Sequence, residues 1–107
     1  MFFTFPQDFR EREVAPGILL SLAWGERLMI AHVTMQPHSA MPLHNHPHEE
    51  MGMVLEGETQ FIVGNEVSTL KKGDAFLAPP NMEHRAITDD RAVVILEVWS
   101  PPREEYK

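Results

Sequence analysis

At 107 residues the chain is long enough for one hydrophobic core and too short for two. Its formal net charge is −7 with histidine neutral, and its nine lysines and arginines are scattered, which argues against nucleic acid or an anionic membrane as the main partner. Hydrophobic residues make up 43%, ordinary for a globular domain, and the absence of cysteine excludes disulfides, thiolate metal sites and cysteine nucleophiles.

The first segment, MFFTFPQDFRERE, does not read as a secretion signal. It lacks a cationic start, and Pro6, Asp8 and Arg10 interrupt its apolar stretch. No apolar run approaches the roughly 18 residues of a membrane helix, so a cytoplasmic location is expected. Phe2, Phe3, Phe5 and Phe9 make the terminus unusually aromatic. It is expected to dock on its own domain or on a second subunit, because a frayed tail would expose large rings.

Short apolar or alternating runs then follow: ILLSLAW (18–24), RLMIAHVTMQ (27–36), EMGMVLEG (50–57), ETQFIVG (58–64), EVSTL (66–70), DAFLAPP (74–80), HRAIT (84–88) and RAVVILEVW (91–99). Gly and Pro punctuate them, and no window holds a helical period over three turns. Short strands at this spacing indicate an all-β sandwich or barrel. Glu56-Gly57-Glu58 reads as a tight hairpin joining 50–57 to 58–63, and Gly64-Asn65 as another joining 58–63 to 66–70. RAVVILEVW is apolar on both faces, as a strand is between two packed sheets or at an oligomer interface. A homodimer is therefore expected.

Within this pattern lie His44, His46 and Glu50 in HNHPHEE, and His84 in PPNMEH. Residues two apart on a strand point to one face, so His44 and His46 can converge, and Glu50 joins them if the strand runs past Pro47. Without cysteine, a metal here has nitrogen and oxygen ligands only. His48 shares the parity, but Pro47 bends the strand. Glu49 should point away, His38 should be solvated, and His32 reads as a core histidine on a strand face with Leu28 and Ile30.

HNHPHEEMGMVLEG resembles the first motif of the cupin family: HxH, three residues, Glu, six residues, Gly. His44, His46, Glu50 and Gly57 match it. GDAFLAPPNMEH resembles the second motif through Gly73, Pro79 and His84, with Asn81 where the family usually has Gly. Asn tolerates a left-handed turn better than most residues. The first motif usually opens on a Gly that is here His38. The resemblance implies an all-β cupin double-stranded β-helix, a jelly-roll-like barrel, with one domain over 1–107: an arm at 1–15, the barrel at 16–99 and a tail at 100–107. It also implies one divalent transition metal ion held by His44, His46, Glu50 and His84. Mn, Fe, Ni, Co and Zn all suit that ligand set.

The ending LEVWSPPREEY (96–106) is the second informative stretch. Glu97 and Trp99 share one strand face, and Glu97 interrupts an apolar strand, where an unpaired buried carboxylate is costly. It faces either solvent at an edge or a polar cavity. The ending resembles that of the small pectin-degradation cupins, which open the ring of unsaturated uronates and typically end Asp-x-Phe-Ser-Pro-x-Arg-Glu-Asp-Phe. That resemblance implies Glu97 and Arg103 as catalytic residues, with Trp99 and Arg103 binding a carboxylate-bearing small molecule. Here Glu stands for Asp, Trp for Phe, and Glu50 for a fourth ligand that is often Gln. The expected function is a metal-dependent isomerase-like enzyme acting on a small sugar acid. An Fe(II)-type dioxygenase and a non-catalytic metal- or sugar-binding module are the alternatives. Arg85, next to His84, should point away from the ion.

Overall fold

The structure, a computed structural model, describes residues 1–107. Nine strands are followed by one turn of 3-10 helix: β1 (Arg10–Ala15), β2 (Ile18–Trp24), β3 (Met29–Met35), β4 (Glu49–Glu56), β5 (Glu58–Val63), β6 (Glu66–Lys71), β7 (Ala75–Ala78), β8 (His84–Ile87), β9 (Val93–Ser100) and η1 (Glu104–Tyr106). They form a six-stranded sheet in the order β1-β2-β3-β9-β4-β7 and a three-stranded sheet in the order β6-β5-β8. All pairs are antiparallel. This is the expected all-β barrel of the cupin type. No helix is long and apolar enough to cross a membrane.

The period-two pattern of the sequence decides what faces inward. Ile18, Leu20 and Leu22 of β2, Met29, Ala31, Val33 and Met35 of β3, and Val93, Ile95 and Trp99 of β9 are all buried. Phe61 of β5 and Ala86 of β8 close the core from the smaller sheet. Each fully buried side chain of this size contributes roughly 1.5–3 kcal/mol, so one such layer suffices for a chain this short.

Of the two turns read as hairpins, one departs from that reading. The segments 50–57 and 58–63 do not form a hairpin. β4 pairs with β7 and β9, whereas β5 pairs with β6 and β8. Gly57 is where the chain passes from one sheet to the other. Its φ is 80°, and a Cβ there would sit 2.5 Å from the Ala92 carbonyl oxygen. The glycine thus serves a close crossing rather than a two-residue turn. The Gly64-Asn65 hairpin forms as expected, with Val63 paired to Glu66.

Both positions where the chain lacks the usual motif glycine have left-handed backbone, His38 at φ 57° and Asn81 at φ 67°. The turn geometry therefore survives both replacements, at the cost of strain that is smallest for Asn. Within the segment read as an arm, Arg10–Ala15 pairs along β2 as an edge strand. The remaining residues fold over the outer face of the large sheet, where Phe5 rests on His32 with ring centroids 4.7 Å apart. His32 therefore lies beneath the arm on the outer face, not in the core. Its backbone pairs with Ser21 and Leu96, and the inward neighbours Ala31 and Val33 carry the core instead.

Candidate metal centre

His44 and His46 are not on a continuous strand. β4 begins only at Glu49, and the preceding residues form a loop that enters the barrel mouth. Pro47 cannot donate a ladder hydrogen bond, which ends regular pairing there. The loop is nonetheless fixed by its backbone. His44 and His84 form an isolated antiparallel bridge, with N–H to O distances of 3.2 and 2.9 Å. The Asn81 amide donates to the His46 carbonyl at 2.7 Å. The left-handed turn at Asn81 thus secures the loop that carries His46.

These constraints bring His44, His46 and His84 together, with ring nitrogens within 4.8 Å of one another. Their ring centroids lie 4.3, 4.9 and 5.7 Å apart for the 44–84, 46–84 and 44–46 pairs. His46 and His84 are buried, and His44 is half-buried at the rim. Each ring is oriented by a backbone carbonyl: His44 Nδ1 by Pro42 at 2.8 Å, His46 Nδ1 by His48 at 3.1 Å, and His84 Nδ1 by Met82 at 2.9 Å. A carbonyl only accepts, so each Nδ1 carries the proton and each Nε2 presents a lone pair. Such carbonyl contacts are the usual orienting partners of metal-binding imidazoles.

Glu50 supplies the carboxylate. Its Oε1 lies 3.1 Å from His46 Nε2 and 3.3 Å from His84 Nε2, and accepts from Trp99 Nε1 at 2.5 Å. Burial would raise the Glu50 carboxyl, but its contacts with His46 and His84, whose Nε2 atoms donate only when the rings are protonated, and the hydrogen bond from Trp99 hold it far below the ordinary carboxylate range. Burial likewise would lower His84; its hydrogen bond to Glu50 and that charge raise it instead. His44 is lowered, first by burial and then by the positive charges of His84 and Arg103. Three imidazole lone pairs facing one ionised carboxylate leave a surplus of acceptors at one point. A cation resolves that surplus, so the donor set fits a divalent ion of intermediate softness. The three histidines are positioned to hold one.

The same cavity is lined by His44, Glu50 and His84 together with Glu97, Trp99 and Arg103. The structure thus brings the C-terminal residues to the cage. Glu97 faces the interior between Ala31 and Gly52 of the flanking strands. A Cβ at Gly52 would collide with the Phe76 ring, so the glycine leaves room for Phe76 beside Glu97. Burial first, then the charge of Glu50 and a hydrogen bond with it, push the Glu97 carboxyl well above its ordinary value, against a smaller opposing effect of Arg103. The two neighbouring carboxyls are thus pushed in opposite directions, Glu97 up and Glu50 down, and titrate as a pair.

Arg103 is 8% exposed. Its guanidinium carbon lies 5.2 Å from the Trp99 ring centroid and 4.3 Å from that of Tyr106. Nη2 donates to Glu105 Oε2 at 3.3 Å, while the buried Nε has no partner. A buried guanidinium with an unused donor is poised for an anion.

Sequence reasoning missed two supports of this arrangement. Tyr106 lines the cavity and stacks on Arg103; its place at the final aromatic position of the ending was the available signal. Arg12 donates to the Tyr106 carbonyl at 3.3 Å and the Lys107 carbonyl at 2.8 Å, fastening the C-terminal strap to β1. No local pattern announces a contact across more than ninety residues. Of the residues set aside, Glu49 is exposed and His48 is half-buried. Arg85 lines the cavity wall with a buried Nε that has no partner.

Comparison with known proteins agrees with this architecture. The family model described as "Cupin domain" matches residues 31–99. The pectin degradation protein KdgF of Dickeya dadantii is 26% identical over 96 residues, covering 88% of this chain and 87% of that protein. The solved structure of KdgF from a Halomonas species is 26% identical with a TM-score of 0.88, covering 98% of this chain and 97% of that one. An RmlC-like cupin from Shewanella frigidimarina superimposes with a TM-score of 0.90 at 23% identity, covering 100% of this chain and 96% of that one, a likeness of fold.

Proposed function

The chain belongs to the cupin family, and on that footing we propose that it is a metal-dependent enzyme of the isomerase type. Its substrate would be a small sugar acid, with an unsaturated uronate as the leading candidate. One observation carries this reading: Glu97, Trp99 and Arg103 line the same cavity as the histidine cage. The name pectin degradation protein, borne by the Dickeya dadantii relative that covers 88% of this chain, supports uronates as the substrate class.

His44, His46, His84 and Glu50 would hold the ion. When bound, a divalent ion supplies Lewis acidity toward a substrate hydroxyl or carbonyl oxygen. Arg103 takes the substrate carboxylate, because its unpartnered Nε and its Nη2 form one edge of the fork that carboxylates bind in bidentate fashion. Trp99 and Tyr106 hold the guanidinium plane from its sides, so the carboxylate arrives in a fixed orientation. Trp99 also presents a flat wall to the sugar ring.

Ring opening of an unsaturated uronate is an isomerisation. The bond between the anomeric carbon and the ring oxygen breaks as the anomeric hydroxyl loses its proton and becomes an aldehyde, and the enolate left behind gains one proton at carbon to become a ketone, so proton loss and gain cancel. No water is added. Glu97, whose carboxyl is pushed up by burial and by Glu50, is suited to deliver that proton.

The direct test is the absorbance of the conjugated double bond in an unsaturated uronate, followed after addition of protein of known metal content. Loss of absorbance at a rate proportional to bound metal supports the reading. No loss with any divalent metal overturns it. Oxygen uptake by the iron-loaded protein without uronate turnover would move the assignment to dioxygenase chemistry.

A further inference from the structure

The three histidines take their orientation from backbone carbonyls, but Glu50 does not. The contacts of its carboxylate are with the side chains of His46, His84 and Trp99. In the sheet, Glu50 lies directly opposite Trp99 of β9 on one side and Ala78 of β7 on the other. Ala78 is fully buried and its methyl group offers no donor. Of the two directly opposed residues, only Trp99 can hold the carboxylate, and directly opposed side chains are the closest pairs a sheet provides. Its Nε1–H donates to Glu50 Oε1 at 2.5 Å. The histidine contacts are of another kind. Backbone carbonyls take the Nδ1 protons of His46 and His84, so each Nε2 donates to Glu50 only when its ring carries a second proton. An ion that takes the Nε2 lone pairs removes that proton. Glu97, beside Glu50, is likewise titratable. The indole N–H is a donor only and does not titrate. It is the contact of Glu50 that metal binding leaves in place.

We propose that Trp99 is a positioning residue of the metal centre: its indole N–H holds Glu50 among the ligands and selects a carboxylate over an amide at that position. The donor is itself fixed. Trp99 is 2% exposed, and its ring is held by Tyr106, with centroids 5.8 Å apart, and by the Arg103 guanidinium 5.2 Å from its centroid. Turning the ring away from Glu50 would leave a buried N–H unsatisfied, which is costly. A carboxylate has two oxygens, so it can accept from Trp99 and still offer an acceptor to an ion. An amide has one oxygen and an NH2 group. With Trp99 claiming that oxygen, a glutamine at position 50 turns its NH2, which is no ligand, toward the imidazoles. The two parts of Trp99 thus serve two ends: the ring face steadies Arg103, and the N–H steadies Glu50.

The inference rests on the reading of His44, His46, His84 and Glu50 as ligands and not on the uronate reaction. It is tested by titrating the full chain with zinc against a competing chromophoric chelator, for the wild type, Trp99→Phe, Glu50→Gln and the double variant. Trp99→Phe keeps an aromatic ring beside Arg103 and removes the N–H. It should lower zinc affinity about 10–100-fold, the effect of losing an orienting partner. In the Glu50→Gln background the same change should cost nothing or restore affinity. Loss of packing, by contrast, would lower affinity alike in both backgrounds. Unchanged affinity in Trp99→Phe, or equal losses in the two backgrounds, overturns the inference and leaves the ligand set standing. A wild type that takes up no zinc overturns the ligand set and the inference with it. Should Trp99→Phe fail to fold, a second measurement needs neither that variant nor an ion. Trp24 and Trp99 give the two indole N–H resonances of the 15N-labelled, metal-free protein. Glu50→Gln should move one of them strongly upfield, and two resonances that both stay in place overturn the inference.

Discussion

The two halves of the candidate site are built in different ways. The histidine cage is oriented by backbone: three carbonyls fix three rings, and the 44–84 bridge and the Asn81 amide fix the loop. The C-terminal half is oriented by side chains. Arg103 is held between Trp99 and Tyr106, and the strap itself is tied down by Arg12. Backbone-held groups keep their geometry whatever the neighbouring side chains are. Side-chain-held groups shift with each replacement. This is a physical route by which one cage can serve different substrates while the opposite wall is varied.

The contrast can be broken most strongly at the cage. His84→Ala or His46→Ala should lower metal affinity by about 100-fold or more, since removing a ligand exceeds the roughly 10–100-fold effect of removing an orienting partner. Metal content after dialysis against a weak chelator measures this, and retention at the wild-type level would remove these residues from the ligand set. Glu97→Gln comes next. It should leave metal content and melting temperature near wild type while turnover of an unsaturated uronate falls by roughly 10²–10⁴. Unchanged turnover would end the proton-transfer role.

Smaller effects probe the strap. Arg12→Ala removes the two hydrogen bonds to the C-terminal carbonyls. It should raise KM several-fold, cost about 1 kcal/mol of stability, and leave metal affinity alone. Steady-state kinetics beside metal titration makes that separation visible; a parallel loss of metal would show that the halves are not independent. Glu105→Gln should act least and in the opposite direction. Glu105 occupies Arg103 Nη2 as an internal carboxylate, and its own side chain is half exposed. Freeing the guanidinium should lower KM for a carboxylate substrate by about fivefold at most, because exposed pairs contribute about 0–1 kcal/mol. A rise in KM would instead mean that Glu105 aligns Arg103.

The sequence by itself determined the strand class and the identity of the cage residues. Period-two alternation, frequent Gly and Pro, and two motifs with fixed spacing are local properties, readable without coordinates. The left-handed backbone at Asn81 was legible for the same reason, as a departure from a glycine pattern, whereas at His38 only the replaced glycine was read. Strand pairing was not local. Gly57 looked like a hairpin turn, yet its role depends on the Ala92 carbonyl passing close by, thirty-five residues further along the chain. The HxH pair looked like a strand, yet Pro47 ended the ladder and the 44–84 bridge took over. Whether Glu97 faced solvent or cavity was undecidable from an apolar strand with one acid, because both faces of β9 are apolar. Only the pairing of β4 with β9 put it next to Glu50, and only the return of the C-terminus to β1 put Tyr106 against Arg103. Spacing along the chain fixes which groups are present, whereas burial and charge, which set their protonation and reach, arise from neighbours that are distant in sequence.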